Sequence, residues 1–396
     1  MTTHVFFNRE LRSLEALGAD VRVVSTRRPP AGKTTHEWAA ARMRETEYLW
    51  PMSAPAAARA LAVVARAGPA GWWRAVRLTI GARESPWRER LAALPLLLPA
   101  ARLKGWADDH GIRHVHSHFP GRGTMTVALA HALGLESFSV GAHGALDDFG
   151  GLQRSKWGHA SFGVAITNVL LAAVKAELGP AAPAVWGVAP MGVETDRYRR
   201  SRPYEPYRGT GRFRVFSCGR LNPAKGHHVL IRAVAALADR GLPVELRIAG
   251  GDDHPDLGTQ RALDALVAEL GLGDAVTLLG PVPEATVTAE LDRAHAFALA
   301  TLAEGMGVST MEAMAFGLPC VSSRVGGVPE LIDSGVDGLL VEPGSVAALA
   351  GALETLIRDP GLAERLGRAA REEIEASFQP TRSAALLLEL IASTGR

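Results

Sequence analysis

From residue 213 onward, six short runs rich in β-branched and aromatic residues (FRVFS, VELRIAG, AVTLLG, HAFALA, PCVSS and DGLLVE) each adjoin a segment of helical length. Strands joined by crossovers of that length must run parallel, so this half of the chain is constrained to a doubly wound α/β sheet of Rossmann-like type. The first half repeats the signal more loosely, in VRVVS (21–25), IRHVHS (112–117), SFSVGA (137–142), FGVAI (162–166) and AVWGVA (184–189). With 396 residues the chain is long enough for two such domains, each with its own core.

Three stretches break the alternation. Residues 34–110 are rich in Ala and Arg, are interrupted by Pro51, Pro55, Pro69 and Pro86, and read as an inserted helical layer. Residues 194–212, ETDRYRRSRPYEPYRGTGR, are polar and aperiodic, and a linker is expected there. The tail reads as amphipathic segments at about 346–377 and 380–394. The boundaries that follow are 1–195 for a first domain carrying the insertion, 205–377 for a second, and 378–396 for a C-terminal helix packing back toward the first.

The net charge of +2 conceals an asymmetry: residues 1–200 carry 25 Lys+Arg against 16 Asp+Glu, whereas residues 201–396 carry 18 against 25. A near-neutral total argues against bulk nucleic-acid binding. All eight Trp precede residue 190, and Trp72, Trp73, Trp87 and Trp106 lie among Arg74, Arg77, Arg83, Arg88, Arg90, Arg102 and Lys104. Apolar anchors among cations suit peripheral contact with an anionic membrane; the alternative is an ordinary amphipathic layer with its Trp in the core. No apolar run is long enough to span a bilayer, no secretory signal opens the chain, and two cysteines, Cys218 and Cys320, make no disulfide framework. A cytoplasmic location, with possible attachment at the inner membrane face, is the expectation.

The strongest chemical signal is AEGMGVSTMEAMAFGLPCVSS, residues 303–323. A loop enters a helix near Val308, with Gly305 and Gly307 allowing close backbone approach and the amides of Met306 to Ser309 at the positive helix end, an anion site. Glu304 and Glu312 bracket that end about 10–12 Å apart, a spacing for two ends of a nucleotide sugar. The bland alternative is that Glu304 caps the helix and Glu312 faces solvent. A second signal, CGRLNPAKGHHVLIRAVAAL at 218–237, puts Arg220 and Lys225 at a strand end, where two cations can neutralise a diphosphate. No GxGxxG with a downstream acidic residue is present, which sets aside a dehydrogenase.

These motifs resemble those of the retaining family 4 glycosyltransferases (GT4, glycosyl transferases group 1). The matching pieces are GRLNPAKG, the IAGG turn at 248–251, LLGPVP at 278–283, EGMGVSTMEAMAFGLPCVSSRVGGVPELI at 304–332 and DGLLVEPG at 337–344, in the family's order. The resemblance implies the GT-B fold, two Rossmann-like domains facing each other across a cleft. It implies that Arg220 and Lys225 grip the donor diphosphate, Glu304 the transferred sugar and Glu312 the ribose. Gly219, Gly250 and the amides of Gly305, Met306, Gly307, Val308 and Ser309 complete the donor contacts, with Val282 at the base.

The first half is similar to the family's acceptor side through HVHSHFPGRGTMTVALAHALG (114–134) and SFSVGAHGALDDF (137–149). His143 stands where the family places a histidine facing the reaction centre, with His118 and Asp147 on the acceptor side; a satisfied strand-end histidine is the alternative for His143. The spacing of His116, His118, His143, Asp147 and Asp148 fits no closed zinc pattern, and the acidic turn AGGDDHPD (249–256) reads as exposed, so no metal or other cofactor is expected. Family members open with a strand and a glycine loop before a segment like residues 3–25. This chain begins inside that segment, so its first sheet is expected to lack a central strand.

The implied activity is transfer of a hexose from a nucleoside diphosphate sugar, such as a UDP-sugar, to a hydroxyl acceptor with retention of configuration. The expected setting is exopolysaccharide or lipid-linked glycan assembly. Rivals are a natural-product glycosyltransferase, a GT-B sugar-nucleotide epimerase and a non-catalytic nucleotide-sugar-binding protein.

Overall fold

The computed structural model describes residues 5–29, 37–252 and 258–394. It divides into two units, Met1–Pro190 with Ser383–Arg396, and Met191–Arg382.

In chain order the first unit contains α1 (Val5–Ala16), β1 (Val24–Arg27), α2 (Glu37–Glu45), β2 (Glu47–Trp50), α3 (Ala54–Thr79), α4 (Trp87–Ala93), α5 (Leu97–Asp109), β3 (His114–Ser117), α6 (Arg122–Ala132), β4 (Ser137–Ala142), α7 (Gln153–Trp157), β5 (Phe162–Ala165), α8 (Asn168–Leu178) and β6 (Trp186–Val188). Strands β3 to β6 form a parallel sheet in sequential order, and β1 pairs in parallel with β2 in a separate two-stranded sheet. Residues 34–110 are therefore not wholly helical: EYLW forms β2, with Val24 opposite Glu47 and Ser25 opposite Tyr48. Four residues with one apolar alternation are too few to stand out from the helical stretch around them. Pro69 sits inside α3, where Gly68 (φ 61°) breaks the helical dihedrals and produces a kink. The core gathers Leu103 of α5, Met125 and Leu129 of α6, Phe138 and Val140 of β4, and Trp157 of α7.

The second unit contains β7 (Phe213–Cys218), α9 (His227–Asp239), β8 (Val244–Ala249), α10 (Thr259–Glu269), β9 (Val276–Gly280), α11 (Glu284–Arg293), β10 (Ala296–Leu299), α12 (Val308–Ala315), β11 (Cys320–Ser323), β12 (Leu339–Val341), α13 (Val346–Arg358) and α14 (Pro360–Ser377). Its six strands are all parallel, in the order β9-β8-β7-β10-β11-β12. Central β10 (AFAL) is buried at every position, as expected for a strand covered by helices on both faces. Helix α9 turns Leu230, Val234 and Leu237 into a core shared with Leu349, Leu353 and Leu356 of α13.

The expected segment 346–377 is two helices, α13 and α14. Ser345 Oγ accepts from Ala348 N at 3.2 Å, and Asp359 Oδ1 accepts from Leu362 N at 2.8 Å with Pro360 in the first turn, so a new helix begins there. The polar stretch 194–212 has no regular element and is packed onto the second unit. Tyr198 Oη donates to Glu284 at 2.6 Å, Tyr204 Oη donates to the His295 carbonyl at 2.7 Å, and Tyr207 lies in the core. The last helix, α15 (Pro380–Thr394), places Ala384, Leu387 and Leu390 in an apolar cluster with Leu14 of α1 and Phe162 of β5.

Candidate active site

Strand order in the second sheet reverses between β7 and β10, and ligands of open α/β sheets bind outside the carboxyl ends of the strands at such a reversal. The loops that leave β7, β8, β9 and β10 there are laced together by their backbones. Gly219 N donates to Ala249 O at 3.0 Å, Leu221 N to Gly251 O at 2.8 Å, Gly250 N to Gly280 O at 2.9 Å, and Leu302 N to Ala224 O at 2.6 Å. Two glycines permit this closeness: a Cβ on Gly250 would lie 1.8 Å from Gly219 O, and one on Gly226 1.8 Å from Ala300 O. Gly219, Gly250 and the Pro281–Val282 turn are thereby gathered at one rim of the sheet.

Lys225 and Glu304 meet at this rim, 79 residues apart in sequence. Lys225 Nζ donates to Glu304 Oε2 at 2.5 Å, with side chains only 17% and 12% exposed. Asn222 fixes the Lys225 turn by accepting from its backbone N at 3.1 Å. Glu304 precedes Gly307 (φ 89°), which starts α12; the N–H groups of Thr310 and Met311 both return to Gly307 O at 3.0 Å. The amides of Val308 and Ser309 come before those bonds, at the positive end of the helix. Met306 is 1% exposed, so its side chain belongs to the core and only its backbone can serve a ligand. Burial pushes the Cys218 thiol up to about 12, with Glu312 raising it further and Lys225 opposing, which sets both charges near the end of β7. Arg220 is exposed beside them.

In the first unit, His116 lies in β3 and His118 and Phe119 follow it. His143 stacks on Phe6 (centroids 5.2 Å), lies 5.1 Å from Phe119 and faces His118 at 5.8 Å. Burial drives His116 down to about 3 and His118 well below the usual range, so both imidazoles are neutral. Asp147 does not join this cluster: it is exposed and lines an open, largely acidic pocket of about 490 Å3 with Glu84, Glu89, Arg154 and Glu177. Of the acidic turn at 249–256, Asp252 accepts from Gln260 N at 3.2 Å, a local bond that needs no ligand, while 253–256 lie outside the described residues.

The family model described as Glycosyl transferases group 1 matches residues 206–373. That segment is similar to the glycosyl transferases group 1 family. Over 156 residues the chain is 40% identical to the D-inositol 3-phosphate glycosyltransferase of Corynebacterium glutamicum (strain R), covering 39% of this chain and 37% of that protein. Over 200 residues it is 35% identical to the amylovoran biosynthesis glycosyltransferase AmsK of Erwinia amylovora, covering 48% and 46%. The chain thus spans less than half the length of either relative. The crystal structure of Anabaena HepE in complex with UDP superposes with a TM-score of 0.66 at 21% identity, covering 74% of this chain and 82% of that one. The fold is the GT-B glycosyltransferase fold, as the resemblance implied.

In the second unit, three features were not foreseen from the motifs. Arg200, in the polar stretch before β7, donates to four backbone carbonyls: Asp292 and Ala294 at 2.8 Å, Phe316 at 3.1 Å and Leu291 at 3.2 Å. Arg371 of α14 donates to Ala315 O at 2.5 Å and Tyr198 O at 2.7 Å. Both guanidiniums therefore serve the C-terminal turn of α12, which carries Glu312. His227, the first residue of α9, is 2% exposed beneath the Gly219 turn, and burial lowers it to about 4, so it supports the loop as a neutral ring. Only the tandem His227–His228 after Gly226 hinted at it.

Proposed function

We propose that this chain transfers a hexose from a nucleoside diphosphate sugar to a hydroxyl acceptor with retention at the anomeric carbon. The observation that carries the reading is the Lys225–Glu304 pair, held beside the N-terminus of α12 at the reversal of the sheet. A diphosphate arriving there would take over Lys225 and the α12 amides, freeing Glu304 to accept from sugar hydroxyls, with Glu312 for the ribose and Arg220 adding charge. The acceptor hydroxyl then attacks from the face the diphosphate leaves, and a leaving-group oxygen takes its proton. Charge stabilisation of the departing diphosphate by fixed cations and amides supplies the catalysis. His143 is assigned to the acceptor side. HepE has also been crystallised with UDP-glucose, and AmsK is named for amylovoran biosynthesis, which supports a UDP-sugar donor and glycan assembly.

The test is a thermal-shift panel of UDP- and GDP-sugars followed by transfer assays with the donor that stabilises. One donor should raise the melting temperature by several degrees through preferential binding to the folded state, and nucleotide release should require an acceptor. Release at the same rate without acceptor would favour an epimerase instead, and donor binding without transfer to any acceptor a non-catalytic binding protein.

No helix among the described residues is long and apolar enough to cross a membrane. On α3 and α4, however, Trp72, Trp73 and Trp87 are 47%, 65% and 60% exposed, in a stretch (54–93) with seven Arg and two Glu. This favours the membrane reading over the core reading for these three Trp, and we place peripheral contact with an anionic bilayer here. The protein should sediment with phosphatidylglycerol vesicles at low salt, and Trp73→Glu with Trp87→Glu should abolish this. Sedimentation unchanged in the double variant would remove the face from consideration.

A further inference from the structure

The first unit brings together two histidines and a carboxylate that no local spacing connects. Glu10 comes from α1, His116 from β3 and His118 from just beyond β3. Each offers a ligand atom within 4.8 Å of the other two, and His118 Nε2 lies 4.0 Å from Glu10 Oε1. Zinc bonds of about 2.0–2.1 Å at tetrahedral angles place ligand atoms about 3.4 Å apart, so side-chain adjustments of about an ångström close the set.

Several details fit an ion more closely than they fit a plain hydrogen-bonded cluster. The His116 Nδ1 shares a hydrogen bond with Ser139 Oγ at 2.8 Å, which leaves Nε2 as its coordinating atom and gives the ring the outer partner that ligating histidines use. Gly141 keeps the space beside that nitrogen open, since a Cβ there would lie 3.3 Å from His116 Nε2. A cavity of about 20 Å3 is bordered by Glu10, His116 and His143, room for one ion or one water.

We infer that Glu10, His116 and His118 form a mononuclear site for a divalent transition-metal ion, zinc being the best match, which ties α1 to the end of β3. Two imidazole nitrogens and one carboxylate oxygen suit zinc and disfavour magnesium and calcium, which take oxygen ligands. A water in the small cavity completes the coordination, which leaves His143 to the acceptor side. The spacing of His116, His118, His143, Asp147 and Asp148 along the chain shows no closed zinc pattern; the fold supplies Glu10 from more than 100 residues away.

The test uses the full-length, tag-free protein, stripped with a chelator and titrated with Zn2+ alone, then with Co2+ as a spectroscopic probe. The expected result is one Zn2+ per chain, a raised melting temperature, and the intense visible absorption of low-coordinate Co2+. Glu10→Gln and His116→Asn should each weaken Zn2+ binding at least 100-fold, and Ser139→Ala by about 10–100-fold. His131→Asn, whose ring is bonded to Leu135 O, should bind like the unmodified protein. Absence of stoichiometric uptake, absence of the Co2+ absorption, or full binding retained in both Glu10→Gln and His116→Asn would overturn the site. The Co2+ spectrum of the unmodified protein decides the matter even where a variant fails to fold.

Discussion

On the proposed transfer, Lys225→Ala is expected to lower turnover by about 10²–10³-fold with the fold intact, because it removes a fixed cation from the developing diphosphate charge. The loss is compounded by what remains. Glu304, 12% exposed and paired with Lys225 at 2.5 Å, would be left as an unopposed negative charge where the donor's phosphates must come. Folding should suffer little, since the Lys225 turn is held by Asn222 and by the backbone bond from Leu302 N to Ala224 O. The effects of Lys225→Ala and Glu304→Gln should be strongly non-additive, because the double variant removes the stranded carboxylate along with the cation. Steady-state kinetics with circular dichroism on the single and double variants check this. Turnover within about threefold of the unmodified protein would take Lys225 out of the mechanism.

Arg200→Ala should cost about 2–3 kcal/mol of the second unit's stability, as the loss of a half-buried guanidinium with four carbonyl partners does. Four carbonyls from the ends of α11 and α12 would lose their donor at once. Burial already pulls the Arg200 guanidinium below its usual range, a sign of how little water is at hand to replace it. Arg200→Lys should recover less than half of the loss, because one ammonium cannot match a planar fork with five donors. Urea denaturation of the three proteins is the measurement, and a loss under about 1 kcal/mol would mean that solvent reaches those carbonyls.

All six strands of the second unit could be read from the chain, because each is a compact apolar run between helices and its sheet is buried on both faces. The glycine-rich entry to α12 was legible for a related reason: a helix start at a positive φ, as at Gly307 (φ 89°), calls for glycine. β2 was hidden because its four residues interrupt a helical background with nothing but EYLW. Arg200 was hidden differently. It sits in a charged, aperiodic stretch that composition alone assigns to solvent, and its partners lie more than 90 residues away on two helix ends. Glu10 joins two histidines over a similar separation. Contacts of this kind leave no period and no spacing, so only the folded chain brings them into view.

The arginines at the C-terminal turn of α12 also bear on its other end. A helix of eight residues is in effect a short bar magnet of charge, with about half a positive charge at one pole and half a negative one at the other. Arg200 and Arg371 set positive charge against the negative pole, that of Arg371 shared with Glu375 at 2.6 Å, so that an anion at the opposite pole meets less opposing field. Because both guanidiniums are largely withdrawn from solvent, dissolved salt screens them poorly. The grip of this helix on a phosphate should therefore weaken far less with ionic strength than an attraction built from surface lysines.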